Sequence, residues 1–295
     1  MSSTEAADPD EQRRLSQEGQ GGPQREPIRF VALGDSFTEG VGDPDPERPN
    51  GVRGWADRVA EQLTLRFPET TYANLAIRGR TMLPVLDEQL DAAIELSPSL
   101  VSLYAGGNDI LRPNIDLDEL MVSYEEAFAR LRSSGAQVMT FTGFDAKSFY
   151  GVFRSTRGRS AIYNELLREI ADRHGIIIVD FWRMSEEFSD ARYWAADRLH
   201  LNSHGHRKMA GKVLEALQVA PVDWGLEPLP EMRSVSRVEA TRANVKWVRE
   251  FAIPWVGRRV RGASSGDGME PKYPELQSLT VTEGIEEAQG EAPGD

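Results

Sequence analysis

Between residues 28 and 219 the chain alternates short apolar runs with longer stretches of helical periodicity. The short runs are IRFVALG (28–34), TYANLA (71–76), LVSLYAG (100–106), QVMTFTG (137–143) and IIIVD (176–180). Each is rich in residues that suit strands, and several are apolar on both faces, as strands are when helices cover both sides of a sheet. Helical spacing fills the gaps. Trp55, Val59, Leu63 and Phe67 recur every four residues across 54–67. The same reasoning predicts helices over 84–96, 118–132, 159–173 and 203–218. Strands alternating with helices at this spacing predict βαβ units around a parallel sheet. No internal repeat is visible.

In such sheets ligands bind beyond the carboxyl ends of the strands, so chemically active residues are expected there. The first run ends in GDS with Ser36, and the second is followed by NLAIRGR with Asn74 and Gly79. The third leads into GGND with Gly107 and Asn108, and the chain after the last run reaches DRLHLN with Asp197 and His200. A serine hydroxyl is a weak nucleophile that needs a general base. The chain has four histidines. His174 ends a predicted helix, where an imidazole suits the helix dipole. His200 follows Asp197 by three positions, a spacing that lets the carboxylate reach Nδ1 and turn the other ring nitrogen toward a partner. The backbone N–H groups of Ser36 and Gly79 and the Asn108 amide are candidate donors to a developing oxyanion.

These four blocks, in this order and spacing, resemble blocks I, II, III and V of the SGNH (GDSL-type) hydrolases over roughly residues 28–219. The resemblance implies a flavodoxin-like three-layer α/β/α sandwich with a five-stranded parallel sheet. It implies a carboxylic-ester hydrolase working through an acyl-enzyme, without metal or organic cofactor. By position, Ser36 is the nucleophile, His200 the base and Asp197 its partner, with Ser36, Gly79 and Asn108 forming the oxyanion hole. Phe37 stands where the family's first block has leucine, which changes packing rather than chemistry. The motifs do not choose among a simple ester, a thioester, a lysophospholipid and an acetylated sugar. A non-catalytic binding module on the same fold is the alternative from another class, although none of Ser36, Asn108, Asp197 and His200 is missing.

Simpler roles compete at neighbouring positions. Asp35 is expected to pin the turn before Ser36 and Asp109 to start a helical turn. Asn74 is either a strand-end residue or one that orients the loop near the site. Ser203 reads as the N-cap of the last helix, with His204 exposed in its first turn and His206 near the site rim. A metal reading of HLNSHGH (200–206) is the weaker one, because zinc needs three or four ligands in a tetrahedron. GDSFTEGVGD lacks the spacing of a phosphate-binding loop. Loops 41–53, 110–117 and 144–158 are expected to form the pocket walls.

Composition and charge refine this picture. The 295 residues contain no cysteine, which excludes disulfides and thiolate chemistry. Of the net charge of −13, residues 1–27 carry −3 and residues 270–295 carry −6. These polar ends read as a disordered N-terminal tail (1–27) and a disordered acidic C-terminal tail (264–295), unable to bury enough apolar surface to offset their ordering entropy. The mildly acidic remainder argues against nucleic acid as a partner. With no apolar leader and no run long enough to span a bilayer, the expected location is the cytoplasm.

Residues 220–263 read as a linker followed by a basic segment. An amphipathic helix is expected over 239–253, with Ala243, Trp247 and Phe251 in one stripe, stopping at Pro254. Residues 241–263 carry a net charge of +5. Three readings of 239–261 stay open: docking on the protein's own acidic domain, peripheral membrane contact, or contact with a partner or second subunit.

Overall fold

The computed structural model describes residues 26–112, 114–145, 152–221, 228–231, 236–261 and 263–279. Strand β1 (Arg29–Gly34) leads through the short helix α1 (Ser36–Glu39) to α2 (Gly54–Arg66) and β2 (Thr71–Asn74). Helix α3 (Met82–Glu95) returns the chain to β3 (Leu100–Tyr104), followed by α4 (Gly107–Ile110), α5 (Leu117–Ser133) and β4 (Gln137–Phe141). Then come α6 (Val152–Ser155), α7 (Arg157–His174), β5 (Ile177–Val179) and α8 (Ser203–Ala216). Beyond the described part of the linker lie α9 (Arg237–Trp247), a π-helical turn (Val248–Ala252), α10 (Ile253–Val260) and β6 (Tyr273–Gln277).

The sheet order is β5-β4-β3-β1-β2-β6. The first five strands are parallel in the flavodoxin-like order. The alternation within β1 shows why the fold has three layers. Val31 and Leu33 join one core with residues of α3, α5 and α7, while Phe30 and Ala32 join a second core with α2 and α8. After β1 the chain moves to one side with β2 and crosses to the other with β3. The carboxyl ends of β1 and β3 therefore flank the crevice that results from this switch of direction.

Two expectations need correction. The sheet has six strands rather than five, because β6 pairs antiparallel with β2. Residues 264–279 therefore do not belong to a disordered tail. The strand is anchored by Lys272, whose ammonium is buried against Asp57 at 2.8 Å and donates to the carbonyls of Glu39 and Arg53. Tyr273 packs on Tyr72 with ring centroids 5.7 Å apart. Average composition hid this short anchored segment, since one buried cation and one ring do not outweigh seven acidic residues over 270–295. The expected tails at 1–25 and 280–295 lie outside the described residues.

The predicted stop at Pro254 is the second correction. The helical path continues through it, because the wider turn Val248–Ala252 resets the backbone ladder. Pro254 then falls at the second position of α10, where the missing N–H costs little.

Candidate active site

Ser36 is delivered by a tight turn at the end of β1. Gly34 has φ of +152°, and a Cβ on it would lie 2.5 Å from the Tyr104 carbonyl oxygen and 2.7 Å from Thr38 Oγ1. Only glycine fits where β1 and β3 run this close. Asp35 caps α1, its Oδ1 accepting from the Phe37 N–H at 3.1 Å. Ser36 thus stands at the first helical position, where backbone N–H groups lack intrahelical acceptors. Asn74 orients the same turn from β2, donating to the Thr38 carbonyl at 3.0 Å and accepting from the Ala76 N–H at 3.1 Å.

Ser36 Oγ lies 2.9 Å from His200 Nε2, and His200 Nδ1 lies 2.6 Å from Asp197 Oδ2. Asp197 Oδ1 accepts from the backbone N–H groups of Leu199 (2.9 Å) and His200 (3.1 Å). Burial alone would raise the Asp197 carboxyl, but the His200 ring and these two N–H groups hold it below its ordinary value. An ionised carboxylate only accepts, so Nδ1 carries the proton and Nε2 is left to accept from the serine hydroxyl.

Asn108 opens α4 beyond β3. Its amide donates to Asp35 Oδ2 (3.1 Å) and to the Arg80 carbonyl (2.9 Å). Burial pushes the Asp35 carboxyl up to about 6, opposed by the Phe37 N–H, the nearby His200 and the Asn108 amide. Ser36, Asn108 and His200 line one cavity of about 180 Å³. Gly79 is not among its lining residues. It takes φ of +78°, and a Cβ there would lie 2.4 Å from Ser264 Oγ, so the C-terminal segment covers this loop. Asp109 accepts from the Met82 N–H at 2.9 Å and so holds the start of α3.

The walls of the cavity come from all three expected loops, through Val41, Ile110 and Leu111, and Phe144. Residues 146–151 of the third loop lie outside the described residues. Phe181 and Trp194 also line the cavity, and no spacing rule pointed to them. Phe37 sits within a ring cluster, 5.1 Å from Phe141 and 5.8 Å from Trp55.

Of the remaining histidines, His206 also lines this cavity. Asn202, rather than Ser203, caps α8, its side chain accepting from the Gly205 N–H at 3.1 Å, because asparagine one position earlier reaches the free donor. His204 is half-buried rather than exposed. His206 is fully buried: Nδ1 accepts from the Trp55 N–H at 3.1 Å and Nε2 donates to the Val41 carbonyl at 3.2 Å. Burial pushes it down to about 4, against the pull of Asp43. It fixes α2 against the loop after Ser36. His174 sits at the end of α7, 2.9 Å from Glu125 Oε1. Among the described residues no group of three or more His, Asp or Glu side chains could hold a metal ion.

The profile of the GDSL-like Lipase/Acylhydrolase family matches residues 32–208. The chain belongs to this family. An uncharacterized protein of Bacillus subtilis (strain 168), YpmR, is 25% identical over 217 residues, which span 66% of this chain and 83% of YpmR. Among solved structures, the acetylxylan esterase Axe2 of Geobacillus stearothermophilus superposes with a TM-score of 0.54 at 19% identity, covering 65% of this chain and 95% of Axe2. TesA gives 0.52 at 19% identity, covering 64% of this chain and 98% of TesA. LAE5, an alpha/beta hydrolase enzyme from the Lake Arreo metagenome, gives 0.56 at 22% identity, covering 65% of this chain and 95% of LAE5. These likenesses establish the fold. No helix among the described residues is long and apolar enough to cross a membrane.

Proposed function

We propose that this member of the GDSL-like family cleaves carboxylic esters through Ser36, His200 and Asp197. The observation that carries the reading is the continuous chain of contacts from Ser36 Oγ through the imidazole to Asp197 Oδ2, at 2.9 and 2.6 Å. His200 Nε2 takes the serine proton as Oγ attacks the acyl carbon. Asp197 stabilises the imidazolium that forms. The tetrahedral oxyanion is received by the Ser36 N–H and the Asn108 amide. To serve in this way Asn108 exchanges one of its present acceptors, Asp35 or the Arg80 carbonyl, for the oxyanion. The imidazolium then protonates the leaving alcohol. Water, deprotonated by the same ring, releases the acid from the acyl-enzyme.

The walls set by Val41, Ile110, Leu111, Phe144, Phe181 and Trp194 favour an apolar acyl chain over a sugar. The test is a p-nitrophenyl ester series from acetate to palmitate, with Ser36→Ala as control. Serine-dependent turnover that peaks above acetate supports the reading. Turnover that survives in Ser36→Ala removes Ser36 as nucleophile. Absence of turnover together with no labelling by a serine-directed phosphonate favours a binding module.

A further inference from the structure

The turn that carries the acid and the base is held from outside the family's own domain. Between Asp197 and His200, Arg198 takes φ of +58°, a left-handed conformation that costs a residue with a side chain. The geometry of this turn matters because Asp197 Oδ1 accepts from the N–H groups of Leu199 and His200 within it. If the turn relaxes, the carboxylate and the imidazole lose their common frame.

Three contacts reach the turn from α9, which lies beyond the family match at 32–208. Trp247 Nε1 donates to the Asp197 carbonyl at 2.7 Å. The Arg198 guanidinium lies over the Trp247 ring, 5.4 Å from its centroid, and Arg198 Nη1 donates to Asn244 Oδ1 at 2.8 Å. The indole therefore touches both residues that bracket the strained peptide. The rest of α9 is exposed, so packing into a core does not account for the helix's place. A capping box, Ser236 with Glu239, starts the helix and lets it persist on the surface.

We propose that Trp247 is a positioning residue, through which helix α9 clamps the Asp197–His200 turn and keeps His200 aimed at Ser36. This rests on the serine-hydrolase reading above. It makes the segment after the linker part of the catalytic apparatus of this chain, acting through the base loop without touching substrate.

The experiment uses the full-length chain. Trp247→Phe keeps a ring for Arg198 and removes the N–H donor. Its kcat for a p-nitrophenyl ester is expected to fall about ten-fold while KM stays within about two-fold, since the turn serves the reaction rather than ground-state binding. The downfield proton resonance of the His200–Asp197 hydrogen bond is expected to broaden or vanish, and this reads the clamp even without turnover. Asn244→Ala, a change on an exposed helix, gives a smaller loss in the same direction and decides the matter should Trp247→Phe fail to fold. Unchanged kcat and an unchanged downfield proton in the folded variants overturn the proposal. That result leaves the esterase reading standing, because that reading is tested separately, by ester turnover and phosphonate labelling with Ser36→Ala as control.

Discussion

The turn that presents Ser36 and the turn that presents His200 meet within 2.9 Å but are built in different ways. The Ser36 turn is buried: Asp35, Thr38 and Glu39 are each at most 5% exposed, and Asn74, His206 and Lys272 brace it. Glu39 accepts from the Arg78 N–H and guanidinium and from Asn50, tying the turn to the loop after β2. The His200 turn is half-exposed, contains a left-handed arginine, and gains its outer support from a surface helix. The Ser36 side is fixed by the protein interior, and the His200 side by surface contacts outside the core. Loss of function is therefore expected to separate from loss of stability when the supports of the His200 turn are changed, and to accompany it when the buried braces of the Ser36 turn are changed.

The largest effect tests the meeting point itself. Ser36→Ala is expected to lower kcat by about 10⁴-fold or more with little change in thermal stability, because a hydroxyl is removed and no cavity follows. Steady-state kinetics and a melting curve check this together. Lys272→Met tests the interior support. It leaves Asp57 buried and uncompensated, with the Tyr72 hydroxyl its remaining partner at 2.9 Å. A destabilisation of about 3–5 kcal/mol is expected in chemical denaturation. Adding Asp57→Asn should recover part of it, and an additive double variant would break the picture of a coupled pair.

A subtler contrast concerns pH. His206 is held at about 4 in the folded chain against an ordinary 6.5. Its neutral form contributes stability that is lost as pH falls through this window. Asp35 is raised from 3.8 to about 6. Its protonation contributes stability below the unfolded value, which is lost as pH rises through the folded one. The two oppose each other between pH 4 and 6. Asp35→Asn removes the compensating term, so its stability should fall more steeply on acidification than that of the parent, by about 3 kcal/mol at most. Equal slopes in melting curves from pH 6.5 to 4.5 would show that the Asp35 titration does not offset His206.

The smallest effect guards the base side. Val245, 56% exposed on α9, takes no part in the clamp. Val245→Ser should leave kcat within about two-fold of the parent, in contrast to Trp247→Phe. A comparable loss in both variants would mean that the helix as a whole, rather than the indole, matters to the turn.

Much of this arrangement was legible along the chain. The five parallel strands and their helices followed from periodicity, because each strand end and each helical stripe is a local feature. Ser36, Asn108, Asp197 and His200 stood out because they follow strand ends in motifs a few residues long. The antiparallel β6 is not legible along the chain, because its pairing spans about 200 positions and its surroundings are rich in charge. His206 lines the cavity, as its place in HLNSHGH suggests, but the partners of its two buried hydrogen bonds lie more than 150 residues away in sequence. The motif alone makes Gly79 an oxyanion donor, whereas the coverage of its loop by Ser264 is a tertiary fact.

The sequence by itself determined the layer order, the turn before Ser36 and the chemical character of the four motifs, since propensity, periodicity and short-range spacing act within a few residues. Tertiary structure alone decided which later segments support the Ser36 turn and the His200 turn. Lys272 under the Ser36 turn and Trp247 against the His200 turn each act across a distance in sequence that no local rule spans, and each depends on a partner exposed or buried only once the sheet has closed.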